Sequence, residues 1–240
     1  MGWFRRGKRD NAGDTPVPDE PVALVDPAGS ARRFWARWHE LLPDINAALG
    51  DRAPNRVENQ LCEAVADIHP DLQFSLERGQ RAIYALVLTG QEDPDLRPYT
   101  DAWRAEAPPE DPIWEYHDSV PPVPDPAEVT VNLAGHRISL ADIRVTAQVD
   151  QSEGVVDVAV YHPELHELDE NAQTAMTFLP LDATLGERVA GERLRRVETA
   201  LERPENAITL GELRALVTGL GENSEDPPDG DAAPGECLPD

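Results

Sequence analysis

The stretch LQFSLERGQRAIYALVLTG, residues 72 to 90, decides the fold. Before it, apolar residues recur at offsets of 3 and 4. Within it the period drops to 2, with a glycine-containing turn between two runs of strand formers, the signature of a hairpin. A chain that passes from helical to strand periodicity in this way, and forms hairpins again further on, is expected to be an α+β protein. Its expected architecture is an antiparallel sheet built from hairpins, with N-terminal helices and with helices packed on one side.

Toward the N-terminus, Phe34, Trp35, Trp38, Leu41, Leu42, Ile45 and Leu49 form one helical stripe after Ser30, which suits an N-cap. Pro43 lies inside that stripe and predicts a kink or a break. Val57, Leu61, Ala64, Val65 and Ile68 repeat the pattern until His69-Pro70 stops it. Trp35 and Trp38 are three apart on an apolar face, and they read as core, as do Trp103 and Trp114. Residues 10 to 29, rich in Pro, Asp and Gly and without period, read as a linker, so residues 1 to 29 are expected to be disordered. The opening MGWFRRGKR has four positive charges but no apolar segment after it, so it is not read as a secretory signal. Arg6 stands where a myristoylation pattern needs Ser or Thr.

Toward the C-terminus, PDLRPYTDAWRAEA (94 to 107) reads as a helix, IWEYHDSV (113 to 120) as extended, and PPVPDP (121 to 126) as an exposed connector or polyproline segment. Three strands follow, EVTVNLAG, DIRVTAQVD and GVVDVAVYH, the last two joined by QSEG as a tight hairpin. A helix within residues 167 to 190, a strand RLRRVETAL and a closing helix LGELRALVTGL complete a single domain over residues 30 to 220, with no visible repeat. Residues 221 to 240 hold seven acids and no base, and read as a disordered acidic tail.

Charge bears on partners. Against 46 Asp and Glu stand 21 Lys and Arg, a net charge of -25, and residues 10 to 220 alone carry -22. Such a field opposes nucleic acid and anionic membrane and favours a basic protein. Lys8 is the single lysine beside 20 arginines, and Pro stands at about twice its usual share, a composition that fits the codon bias of a GC-rich bacterial genome. Cys62 and Cys237 imply no disulfide framework, which fits a cytoplasmic location. No run of 18 apolar residues exists to span a membrane.

Candidate site residues are few. Asp182 and Glu187, in FLPLDATLGERVAGERL (178 to 194), are candidates for a catalytic carboxylate pair. Five positions apart, they diverge by about 140° on an ideal helix, and only a helix that ends between them, at Gly186, brings them together. Thr174, Phe178, Leu181 and Leu185 would share the buried face of that helix. His136 is a candidate base just after a strand. His162 and His166 have i, i+4 spacing with Glu167, Asp169 and Glu170 beside them, a candidate metal set, although Pro163 favours a solvated turn. No nucleophile elbow, P-loop or dinucleotide fingerprint occurs, and no metal or cofactor is expected.

The motifs FWARW, YALVLTGQED, APPEDPIWEYH, VVDVAVYHP and LDATLGE occur in this order over residues 33 to 200. In that order the chain resembles a family of uncharacterised bacterial proteins with an FW-x-W opening helix and an LD-x-x-LGE helix end. The resemblance implies an α+β fold and no established catalytic activity. The family usually carries a Gly where Ile113 stands and an aromatic residue where Arg188 stands. The function expected from these readings is that of an acidic cytoplasmic protein-binding module, adaptor, inhibitor or immunity-like, without catalysis. The alternatives are an enzyme using Asp182, Glu187 or His136, and an acidic mimic of nucleic acid.

Overall fold

Asp26 opens the first helix, α1 (Pro27–Gly50), by accepting the Ala28 amide at 3.1 Å, with Pro27 in the first turn where its missing N–H costs nothing. Ser30, the expected cap, is instead buried a turn inside the helix, its hydroxyl accepting from Arg33 at 2.9 Å. The helix also runs unbroken through Pro43. Pro43 and His39, whose carbonyl it leaves without a helical donor, are both exposed, so solvent takes the place of that bond.

The computed structural model describes residues 26 to 91 and 93 to 222. The expectations for the N-terminal 25 residues, for the tail beyond 222 and for Cys237 fall outside them. Within them the chain forms an α+β structure of six helices and three small, mostly antiparallel sheets, and gathers into two compact units. The first holds the residues up to Pro124 together with Leu185–Gly191; the second holds Asp125–Thr184 and the residues from Glu192. Hydrophobic periodicity, which reads residues 30 to 220 as one succession of elements, carries no mark of this division. No helix among the described residues is long and apolar enough to cross a membrane.

In the first unit α1 and α2 (Glu58–Ala66) precede the hairpin of β1 (Gln73–Arg78) and β2 (Tyr84–Thr89), paired antiparallel from Gln73↔Thr89 to Arg78↔Tyr84. Helix α3 (Arg97–Ala105) then carries the chain to β3 (Trp114–His117), which pairs with β2 in parallel. The core is aromatic: Trp35 stacks on Trp103 at 4.7 Å, Trp38 meets Trp114 edge-on at 4.9 Å, and Phe34 and Tyr116 close the cluster. The Trp35 indole donates to the Trp103 carbonyl at 2.8 Å and the Trp114 indole to Asn46 at 3.0 Å, whereas the buried indole N–H groups of Trp38 and Trp103 have no hydrogen-bond partner among the described residues.

In the second unit β4 (Thr130–Leu133) and β5 (His136–Ser139) form a hairpin across Ala134 and Gly135, both at positive φ. The hairpin of β6 (Arg144–Asp150) and β7 (Val155–Tyr161) follows. The chain then passes through α4 (Glu170–Leu185) and α5 (Glu187–Arg193) to β8 (Leu194–Ala200), again parallel to the second strand of the hairpin, and ends in α6 (Leu210–Glu222). Hairpin, helical crossover and parallel third strand thus occur twice, at β1 to β3 and at β6 to β8. The expected purely hairpin-built sheet is corrected at these two strands, because parallel partners need a crossover and lie far apart in sequence.

The buried face of α4 also differs from the expected one. Thr174 and Phe178 are exposed, the latter at 45%, while Ala172, Met176, Thr177, Leu181, Thr184 and Leu185 are buried. The threonines go inward because each satisfies its own hydroxyl on the preceding turn, Thr177 on the Gln173 carbonyl at 2.8 Å and Thr184 on that of Pro180 at 2.6 Å.

Because Trp103 is wholly buried and contacts three other rings, those of Phe34, Trp35 and Tyr116, Trp103→Ala is expected to cost about 3–5 kcal/mol in denaturant unfolding. A loss below about 1 kcal/mol would mean that the aromatic cluster relaxes freely and does not set the stability of the first unit.

Candidate functional site

Strand β2 delivers Thr89 to its C-terminal end, where the Gln91 amide donates to the Thr89 hydroxyl oxygen at 2.9 Å. The segment Leu185–Gly191, which belongs to the same unit, brings Glu187 to this point. One Glu187 carboxylate oxygen accepts a very short hydrogen bond from the Thr89 hydroxyl, and the other accepts the Val120 amide at 3.0 Å. The Glu187 amide in turn donates to the Val120 carbonyl at 2.9 Å. Arg188 reaches Asp101 at 2.6 Å and Asp118 at 2.9 Å.

Gly186 makes this approach possible. Its φ is +78°, and a Cβ there would stand 2.8 Å from Pro122 Cδ and 3.0 Å from Pro122 N. The Pro-rich connector is therefore fastened rather than free: Val120 bonds Glu187 through both backbone groups, and the Pro122 carbonyl accepts from Gln80 at 2.6 Å. Glu187 and Arg188 meet Gly90, Asp93, Arg97, Thr100, Asp118 and Ser119 around a small cavity of about 20 Å³. A hydroxyl donating to a carboxylate has the form of a nucleophile with its base. Here, however, each carboxylate oxygen already accepts a hydrogen bond from the fold.

Asp182 lies on α4 in the second unit, half-buried, whereas Glu187 opens α5 in the first, so Gly186 ends one helix between them as expected, and the two residues fall in different units.

A second carboxylate escaped sequence reasoning. Glu115 on β3 is only 1% exposed and accepts the amides of Gln80 and Arg81 at 2.8 Å and of Ala82 at 3.0 Å, with His117 at 3.1 Å. Burial pushes its pKa up, but the amides of Gln80, Arg81 and Ala82 and the His117 ring outweigh burial and hold it at about 2. It works as a clasp, binding the loop between β1 and β2 to β3. The available signal was an acid flanked by Trp114 and Tyr116 in a short strand.

In the second unit Glu164 brings two of the candidate histidines together. Its carboxylate lies 3.2 Å from His136 Nδ1, and its amide donates to His162 Nδ1 at 3.1 Å. His162 is 3% exposed, so with Nδ1 accepting, the proton of the neutral ring sits on Nε2, which has no hydrogen-bond partner among the described residues. Burial pushes the pKa of His162 down, against the opposing pull of Glu164 and Asp142. His166 lies apart, exposed, 3.7 Å from Glu167. Among the described residues no group of three or more His, Cys, Asp or Glu is arranged to hold a metal ion.

These buried groups set the response to acid. Glu115 favours the folded state wherever the unfolded carboxyl, with its ordinary value of 4.5, is ionised, and this stability drains away as pH falls from there toward 2, by about 3 kcal/mol. Glu115→Gln is therefore expected to be less stable at pH 7 and to show a flatter acid limb in pH-dependent unfolding; equal limbs would show that the clasp contributes nothing. His162 has the opposite form. Its folded pKa lies below the ordinary 6.5, so the unfolded ring takes up its proton first and stability falls as pH drops below 6.5, a limb that His162→Gln should remove. For Gly186→Ala the positive φ and the contact with Pro122 predict a loss of at least about 1 kcal/mol.

Comparison with family models, with curated proteins and with solved structures returned no match, so the chemistry of this chain is read from its own residues.

Proposed function

We propose that this chain is an acidic cytoplasmic protein-binding module, of the adaptor, inhibitor or immunity-like kind, that selects a basic protein and performs no catalysis. The observation that carries the reading is the spread of like charge over both units. Residues 26–124 with 185–191 hold 19 acids against 10 arginines, and residues 125–184 with 192–222 hold 17 against 7. Carboxylates that a catalyst would need to keep available are spent on internal bonds: Glu187 on Thr89 and Val120, Glu115 on three backbone amides.

One observation favours the competing reading, an enzyme that uses Glu187, Asp182 or His136. The bond from the Thr89 hydroxyl to the Glu187 carboxylate is the contact a base makes with the hydroxyl it activates. The reading as a mimic of nucleic acid shares the charge argument and differs in partner, since the target would then be a nucleic-acid-binding protein.

Capture by the full chain from a lysate is expected to enrich basic proteins at low salt and to fade as the Debye length contracts from about 10 Å at 0.1 M to about 3 Å at 1 M. Titration with DNA and RNA is expected to show no binding, and Glu187→Gln is expected to leave capture unchanged. Tight binding to either polymer, or a catch of neutral proteins indifferent to salt, would overturn the proposal. Displacement of the captured protein by nucleic acid would favour the mimic.

A further inference from the structure

Strand β8 is the third and outermost strand of its sheet, ordered β6-β7-β8. Its inner edge is paired with β7 from Val156↔Leu194 to Tyr161↔Ala200, and no described residue pairs with its outer edge. Seven residues of unpaired backbone are a template for another strand. The opposite edge of the same sheet is treated differently, since Val145 of β6 exchanges two backbone bonds with Ile208, at 2.9 and 2.8 Å.

The side chains of β8 restrict what can add to it. Arg195 is already committed to its own sheet, bonding Asp157 at 3.0 and 2.9 Å, Asp150 at 3.2 Å and Glu153 at 2.8 Å. Arg196 and Glu198 stand two apart on one face, 69% and 53% exposed, and pair with each other, while the Arg196 charge also acts on Asp157 across the strand. A strand that presents one cation and one anion on the same face is complementary to its own reversal. An antiparallel pair centred on Val197 places Arg196 opposite the partner's Glu198 on both sides of the two-fold axis, within the part of β8 that lies beyond its irregularity at Arg195. Moving the centre to residue 196 sets Arg against Arg, and moving it to residue 198 sets Glu against Glu, so charge selects one register.

We infer that the outer edge of β8 is the docking surface for a second copy of this chain, joined through an antiparallel pairing centred on Val197. The pairing joins two three-stranded sheets into one of six strands. Exposed apolar side chains flank the strand: Leu201, 57% exposed, follows its last residue, Ala200. Phe178 and Leu179 are exposed directly after Thr177, whose hydroxyl touches that of Thr199 on β8 at 2.6 Å. The net charge of -25 on each chain opposes the approach, so the pairing relies on contacts local to the strand and tightens when salt screens the long-range repulsion.

The test is sedimentation velocity of the full 26.4 kDa chain at rising concentration, in 0.15 and 0.5 M salt. The expected result is a reversible dimer. Arg196→Glu and Glu198→Arg, each of which sets like charges face to face, should each weaken it at least tenfold, and the double variant R196E/E198R should restore it. Both positions are exposed, and matched thermal melts exclude misfolding as the cause. In a background with Cys62 and Cys237 replaced by Ser, Val197→Cys should form a disulfide-linked dimer on oxidation, because its position lies on the symmetry axis. A chain that stays monomeric throughout overturns the inference, and so does a dimer indifferent to the reversals or one that the double variant fails to restore.

Discussion

The Glu187 side chain fixes where a short returning segment of the chain belongs. Its carboxylate takes the Thr89 hydroxyl on one oxygen and the Val120 amide on the other, while its own amide meets the Val120 carbonyl. These bonds fasten residues 185–191 to the first unit, although the residues on either side belong to the second. Gly186 is the condition for this, since any side chain there would collide with Pro122 and strain a φ of +78°. The same bonds place one donor on each carboxylate oxygen, so the fold holds the group in a single orientation.

What the sequence showed well were the elements whose residues follow one another. The helical stripe from Phe34 to Leu49, the hairpin in residues 72 to 90 and the hairpin across QSEG are all local patterns of period 3.6 or 2. The parallel placement of β3 and β8 was not legible, because each third strand pairs with a residue set separated from it by a whole helix. The face of α4 misled for a related reason. Counting Phe178 inward and Thr177 outward follows hydrophobicity, but a threonine that bonds its own preceding turn has no unsatisfied hydroxyl and packs as a small apolar residue.

Of the candidate sites, the sequence brought out Glu187 and the histidines by residue type but not by partner. That Glu164 joins His136 to His162 and leaves His166 aside depends on β5 and on the turn after β7 meeting in space. Glu115 went unnoticed because a single acid between aromatics has no motif. Its role appears only once the three amides of the 80–82 loop converge on it.

Glu115 and His162 are two solutions to placing an ionisable group where water is excluded. Glu115 keeps its charge because three amides and a ring replace the lost hydration, and hydrogen bonds to a charged acceptor are the strong ones. His162 gives up its charge and is left with one satisfied nitrogen and one buried N–H without a partner. An orphaned donor of this kind carries a desolvation cost of about 1–3 kcal/mol, and it is tolerated because the other nitrogen orders the turn that leads from β7 into α4. The first unit is therefore clasped by a charge and the second by a neutral ring, which ties the acid response of the chain to two groups of opposite kind.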